Sequence, residues 1–380
     1  MKKINILIIV DKFDYHGSYI NGPTRNYSWL VSRLDKDQFN VHLFALRKKG
    51  RSCEIFEKEG VNIIYLGLGK YNPFTWCIIL RLIRRLKIDI LQLQGYGSVI
   101  FGQIAGILSN KPMIIKEEWV DPHIAWYQCL LERCLGVFIT RAIAISEYCK
   151  KFLIDKKGIK ENKISLIMNG LPLDRFYSVD KNAGRLRRKN MGIPDDFAVV
   201  GTVGMLHENK GHNHLIDAAA MIKERRLKTT FLIVGDGELR EKLEHQVAEL
   251  GLKKNVLFMG HQENIPEILQ MMDIFVMSSF SETWGTSILE AMAAGRAIIT
   301  TDSGGGSEMI NDGYSGLIVP VKNARILADK IEHLIDYPEV RRQLAGNARQ
   351  DSESHNIDLT VQRVEDLYRN IYQDVNLRPV

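Results

Sequence analysis

Short apolar runs alternate with amphipathic stretches along the chain, the rhythm of parallel strands joined by crossover helices. Runs at Ile4 to Val10, Val41 to Leu46, Asn62 to Leu66, Ile88 to Leu93, Pro112 to Ile115 and Arg141 to Ile145 predict the buried strands of one sheet. The rhythm starts anew at Phe197. Ala198 to Gly204, Phe231 to Val234, Val256 to Gly260, Ile274 to Met277 and Ala297 to Thr301 predict a second sheet. A chain of 380 residues is too long for one ordinary domain and suits two. The expected fold class is α/β, with two Rossmann-like parallel-sheet domains.

One stretch, Ser278 to Ile310, concentrates candidate chemistry. After the strand Ile274 to Met277, the polar residues Ser278 to Thr283 read as the loop at its carboxyl end, where open α/β sheets bind ligands. Gly285 permits a tight turn, and Thr286 to Ala294 has the spacing of a buried helix with Ile288, Leu289, Met292 and Ala293 inward. The free N–H groups of that helix start, Trp284 to Ser287, suit a phosphate. A carboxylate beside a phosphate is repelled by it. Glu282, before the turn, and Glu290, on the helix, are therefore better suited to accept hydrogen bonds from sugar hydroxyls, unless they are solvated surface acids. The strand Ala297 to Thr301 and the glycines Gly304, Gly305 and Gly306 ahead of Glu308 strengthen the ligand reading.

This stretch resembles the donor-binding signature of the retaining glycosyltransferases of the two-domain GT-B fold, the family 4 group. Their pattern is an acid, seven residues, a second acid, then a strand and a Gly-Gly-x-x-Glu turn. Arg141 to Phe176 also resembles the family, with Ser146 and Glu147 opening a helix, Lys163 before a strand, and Asn169-Gly170 marking the crossing between domains. The resemblance implies two domains facing across a cleft: residues 1–171 on the acceptor side, a linker 172–194, a nucleotide-sugar domain 195–355, and a C-terminal helix, 356–380, crossing back to the first domain. It further implies a nucleoside diphosphate sugar donor, no cofactor, no metal, and retention of anomeric configuration.

The remaining site residues follow from matched loops. In MLHENKG, Lys210 at a helix start suits a diphosphate, while relatives commonly carry Arg at the place of Met205, leaving Lys210 alone or with His207. The family places the nucleotide base near Gly235-Asp236-Gly237 and His261; an exposed loop histidine is the ordinary alternative. Gly22, with Pro23, opens a helix where the family has a glycine loop, and the segment before it reads as an acceptor contact or a lid. Many relatives carry His at the position of Glu118. Glu117 or Glu118 is then expected to touch substrate hydroxyls, or to be a helix-start charge. In sum, Glu282, Lys210 and Glu118 are the catalytic candidates. Gly22, Met205, Lys210, Gly235, His261, Glu282, Trp284, Gly285, Thr286 and Glu290 are the donor-binding ones.

Composition bounds partners. Residues 1–177 hold 27 Lys and Arg against 16 Asp and Glu, so the basic excess lies in the first half. That face suits a glycan or lipid-linked acceptor bearing phosphate, or an anionic membrane surface; nucleic acid is not expected, for want of interleaved aromatics or a binding motif. The helix Pro73 to Lys87 joins Trp76, Ile79, Leu80, Ile83 and Leu86 to Arg81, Arg84 and Arg85. It is read first as packing on the sheet with its arginines in water, and second as lying on a membrane. The initial MKKINILIIVDKF reads as a strand rather than a signal peptide, and no run reaches the ~18 apolar residues of a membrane span. Five cysteines without a C-x-x-C pair predict reduced thiols, hence a cytoplasmic protein, soluble or peripheral on the inner membrane face.

The expected activity is sugar transfer from a nucleotide sugar to a glycan or lipid-linked acceptor in surface polysaccharide or glycoconjugate synthesis. The alternatives are a GT-B nucleotide-sugar epimerase and a non-catalytic GT-B partner subunit.

Overall fold

The computed structural model describes residues 2–13, 22–50, 53–70, 72–120, 125–180, 182–225 and 228–377. The segment expected to act as an acceptor contact or lid, residues 14–21, lies outside them. The described residues group into two compact units, one running to Gly170 and resuming at Ile357, the other Leu171–Asn356.

The first unit is built on seven parallel strands: β1 Ile4–Val10, β2 Phe39–Ala45, β3 Ile63–Tyr65, β4 Ile90–Gln94, β5 Met113–Glu117, β6 Arg141–Ala144 and β7 Ile164–Leu166. Their order is β3-β2-β1-β4-β5-β6-β7. The chain winds outward on both sides of β1 and β4, with crossover helices α1 Gly22–Arg33, α2 Cys53–Lys58, α3 Thr75–Arg85, α4 Tyr96–Ser109, α5 Trp126–Gly136 and α6 Glu147–Asp155. Ile6, Leu7, Ile8 and Ile9 are all fully buried, as a central parallel strand covered on both faces requires. Helix α3 buries Thr75, Ile79 and Ile83, packs on α4, and leaves Arg81, Arg84 and Arg85 exposed. The arginines are in water as the first reading of that helix expects, and its buried side rests on α4.

The second unit has six parallel strands, β8 Ala198–Val203, β9 Thr229–Val234, β10 Val256–Gly260, β11 Ile274–Met277, β12 Ala297–Thr301 and β13 Leu317–Val319, in the order β10-β9-β8-β11-β12-β13. Its helices are α7 Asp174–Tyr177, α8 Ala183–Asn190, α9 His212–Arg225, α10 Arg240–Glu249, α11 Ile265–Gln270, α12 Thr286–Ala293, α13 Ala324–Asp336 and α14 Pro338–Ser352. Ile233, Val276 and Ile299 of the sheet share a core with Leu215 and Ile216 of α9 and Ile331 of α13.

The segment expected as a linker, 172–194, is folded into this unit as α7 and α8. Helix α8 lies against α11 so closely that a Cβ on Gly184 would stand 2.1 Å from the carbonyl oxygen of Gln270. Arg187 pairs with Glu267 at 2.5 Å and Arg188 with Asp273 at 2.9 Å. Two arginines of the expected linker thus help dock the helix, while Arg185 stays exposed and pairs with Asp195 at 3.1 Å.

The last helix, α15 Ile357–Asn376, groups with the first unit. The Tyr368 hydroxyl donates to Gln92 Oε1 at 2.7 Å beneath β4, the Asp35 N–H donates to Glu365 at 2.8 Å, and the Thr360 hydroxyl donates to the Met168 carbonyl at 2.9 Å.

Candidate active site

In the second sheet β8 and β11 are neighbours while the chain continues from them toward opposite edges, so the loops at their carboxyl ends stand side by side at a topological switch point, the place where open α/β sheets bind ligands. The loop after β8 runs from Gly204 to Gly211, and the loop after β11 from Ser278 to Gly285. Hydrogen bonds join them: Phe280 N–H donates to the Asn209 carbonyl at 2.7 Å, and the Ser278 hydroxyl donates to the Lys210 carbonyl at 3.0 Å. Gly211 has a φ of 62°, and a Cβ there would lie 2.2 Å from the Ser278 carbonyl oxygen, so only glycine lets the loops close. The consequence is chemical. Lys210 is brought to Glu282, and its ammonium forms an ion pair with Glu282 Oε2, both side chains remaining partly open to solvent.

Glu282 is fixed from its other side as well. Its N–H donates to the Ser303 carbonyl at 2.8 Å, and it bridges to Gly304. A Cβ on Gly306 would stand 3.0 Å from Glu282 Cγ, and the Ser279 hydroxyl reaches Glu282 Oε2 at 3.5 Å. Thr301, ending β12, donates to the Ser279 carbonyl at 2.5 Å. Gly285, with φ 78°, then turns the chain into α12, whose first residue is Thr286. The N–H groups of that turn carry the partial positive charge that suits an anionic oxygen. An ammonium, a carboxylate and a helix start thus share one end of the sheet. The arrangement can take a phosphate on its cationic side and a hydroxyl on its carboxylate side.

The other expected residues fall as follows. Glu290 sits on α12 and is almost wholly buried, as are the helix residues predicted to face inward. Trp284 is buried, its ring 5.4 Å from that of His355, so the indole belongs to the core and only its backbone lies at the helix start. Met205 lies in the β8 loop, where its carbonyl accepts a hydrogen bond from His212 Nε2 at 3.2 Å. Burial pushes His212 down to about 4, so its imidazole is neutral at pH 7. His207 turns to Asn209 Oδ1 at 2.8 Å and Glu238 at 3.4 Å. Gly235 and His261 flank the β9 and β10 ends, the Gly235 N–H donating to the Gly260 carbonyl at 2.9 Å. Gly235 has its own structural reason for lacking a side chain: a Cβ would stand 1.9 Å from the Gly204 carbonyl oxygen.

Two expected site residues belong to the first unit. Gly22 is the first residue of α1. Glu118, expected to be open to a substrate hydroxyl or to charge a helix start, is instead enclosed. It pairs with Lys116 Nζ at 2.5 Å and accepts from Gln94 Nε2 at 3.1 Å and Asn169 Nδ2 at 3.4 Å. Lys116 also donates to Asn169 Oδ1 at 3.0 Å and stands over the Tyr27 ring at 4.5 Å. Glu117 pairs with Lys157, which meets Glu132 at 2.7 Å. Desolvation alone pushes the Lys157 ammonium down, but the two carboxylates outweigh it and hold it raised. Both glutamates are thus buried members of ion networks, a placement strongly dependent on their lysine partners.

Sequence reasoning missed Asn209, Ser279, Thr301 and Ser303, which act largely through backbone contacts and carry no motif. Gln94 was also missed, although two glutamines in the apolar run of β4 signal a buried polar partner.

Two family descriptions match the chain, "Glycosyltransferase Family 4" over residues 20–175 and "Glycosyl transferases group 1" over residues 185–351. This chain belongs to the group 1 glycosyltransferases. It is 28% identical over 322 residues to the N,N'-diacetylbacillosaminyl-diphospho-undecaprenol alpha-1,3-N-acetylgalactosaminyltransferase of Campylobacter jejuni, covering 80% of this chain and 84% of that one. It is 27% identical over 303 residues to the UDP-Gal:alpha-D-GlcNAc-diphosphoundecaprenol alpha-1,3-galactosyltransferase of Escherichia coli, covering 76% and 77%. Another relative, in Bacillus subtilis, is 31% identical and is covered over 65% of its own length. Among solved structures, Anabaena HepE in complex with UDP superposes with a TM-score of 0.85 at 20% identity, over 97% of this chain and 100% of that one, which establishes the GT-B fold.

Proposed function

We propose that this group 1 glycosyltransferase moves a sugar from a nucleoside diphosphate sugar to a glycan or polyprenyl-diphosphate-linked acceptor, with retention and without a metal. The observation that carries the reading is the Lys210–Glu282 pair at the switch point of the second sheet, beside the start of α12. Lys210 would neutralise the leaving diphosphate together with the helix N–H groups, a preorganised positive field at the place where charge develops. Glu282 would hold sugar hydroxyls and orient Lys210. Glu290, on the same helix, would hold the ribose. The sugar would pass through an oxocarbenium-like state attacked on the face the diphosphate leaves. The acceptor reading is supported by the two undecaprenol-diphosphate-acting relatives and by the basic excess of the first half of the chain. Its site of action would be the cytoplasmic membrane face.

The test is turnover of a panel of UDP-, GDP- and ADP-sugars on a polyprenyl-diphosphate-linked sugar, with the anomeric configuration of the product read by NMR. A product of the donor's own configuration supports the reading, and an inverted one overturns retention. Met205, standing where relatives carry arginine, favours a second reading, a non-catalytic partner subunit. That reading predicts nucleotide binding without turnover.

A further inference from the structure

Helix α5 in the first unit is built inside out. Trp126 is 77% exposed, Tyr127 57%, Leu130 55% and Leu131 40%, while Glu132 and Gly136 of the same helix are buried. Trp126, Tyr127, Leu130, Leu131 and Cys134 recur at i, i+1, i+4, i+5 and i+8, which at 3.6 residues per turn places them within an arc of about 140°. Just past the helix, Val137 and Phe138 extend the patch, 70% and 57% exposed. The inward side is held by charge, Glu132 meeting Lys157 at 2.7 Å beside Glu117. An apolar stripe of this width normally faces a core, and here it faces solvent.

Cations rim the patch. Arg133, exposed on α5, is held in place by donating to the Asp155 carbonyl at 2.5 Å and the Lys156 carbonyl at 3.0 Å, next to exposed Lys156. Lys163 donates to the Val137 carbonyl at 2.8 Å and the Ile139 carbonyl at 2.7 Å, directly under the Phe138 corner. Exposed Lys160 opens the turn that carries Lys163, the Lys163 N–H donating to its carbonyl at 2.9 Å, so the two cations lie together at that corner. Trp and Tyr over a leucine face, edged by Lys and Arg, is the composition of a helix lying in a lipid headgroup boundary. A symmetric contact with a second copy would set this cationic rim against itself.

We propose that α5 and the Val137–Phe138 corner dock the chain on an anionic lipid bilayer, with the aromatic and leucine face in the headgroup boundary and Arg133, Lys160 and Lys163 against lipid phosphates. The inference deepens the lipid-linked acceptor reading and rests on it for its purpose, since a polyprenyl diphosphate is presented at such a surface. It replaces α3 with α5 as the membrane-facing helix.

The test uses the full chain and sedimentation with vesicles of phosphatidylcholine containing about one third phosphatidylglycerol, against pure phosphatidylcholine. The expected result is binding to the anionic vesicles that falls with salt, falls at least about tenfold in a Trp126→Ser/Leu130→Ser/Leu131→Ser variant, and falls in Lys160→Glu. Nucleotide titration reports that each variant keeps its second unit intact. Wild-type protein that ignores anionic vesicles, or a triple variant that binds them equally, overturns the proposal. So does a concentration-dependent dimer that the triple variant dissolves, which would assign the patch to a second copy. Vesicle binding needs no turnover, so wild-type protein that binds nucleotide but ignores anionic vesicles sinks this inference alone, and docking without any transfer sinks the transferase reading alone.

Discussion

Lys210 and Glu282, 72 residues apart in sequence, meet as an ion pair because the two loops that carry them close over Gly211. The pair is partly buried, so each charge depends on the other. In a double-mutant cycle of Lys210→Met and Glu282→Gln, the two substitutions are expected to be coupled by about 1–3 kcal/mol of unfolding free energy. Urea denaturation of the four proteins measures the coupling. Additive effects would mean that the two side chains do not act on one another.

Loop closure itself is testable at Gly211. Gly211→Ala imposes a left-handed backbone on alanine and drives its Cβ into the Ser278 carbonyl, and is expected to cost about 2–4 kcal/mol and to weaken nucleotide binding. Gly251→Ala shares the backbone conformation, with φ 65°, but its nearest contact is the flexible end of Lys223 at 3.4 Å. It is expected to cost only about 1 kcal/mol, and denaturant midpoints separate the two.

His212 makes stability depend on pH in one window. Its folded value, near 4, lies below the ordinary 6.5, so the unfolded chain binds the proton more readily. Its contribution is fully present above pH 6.5 and is lost as pH falls toward 4, up to about 3 kcal/mol in all. His212→Gln is expected to flatten the profile between those limits. An unchanged slope in denaturant midpoints from pH 7 to pH 4 would locate the dependence elsewhere.

Lys157 sits buried between Glu117 and Glu132. Lys157→Met leaves both carboxylates uncompensated and is expected to cost about 3–5 kcal/mol at pH 7. Because protonation relieves a buried carboxylate, the deficit relative to wild type is expected to shrink as pH is lowered toward 5. Thermal melts across that range check the sign.

Much of this was legible in the sequence, for identifiable reasons. Central parallel strands bury both faces, so Ile4–Val10 and Ile274–Met277 were read from their apolar runs alone. Strand β13 has only three residues, Leu317–Val319, too few to carry a period. The segment 172–194 was expected as a linker, and α8 could not be read there because its partners Glu267 and Asp273 lie far along the chain. The Lys116–Glu118 pair could have been found, since residues two apart in extended chain share a face. The Lys210–Glu282 pair could not be found from either loop alone, because it requires β8 and β11 to be neighbours. Helix α5 could not be found either: whether its apolar face points in or out is decided by the buried Lys157, not by the periodicity.

The central claim is that the second unit holds a nucleoside diphosphate at Lys210 and Glu290. Calorimetric titration of UDP, GDP and ADP into the wild type, Lys210→Ala, Glu290→Ala and the gentler Glu290→Gln tests it most directly, with circular dichroism reporting that each variant is folded. The account predicts that one nucleotide binds and that its affinity falls at least about tenfold, or 1.4 kcal/mol, in every folded variant. Failure of all three nucleotides to bind, or equal affinity in the folded variants, would contradict it.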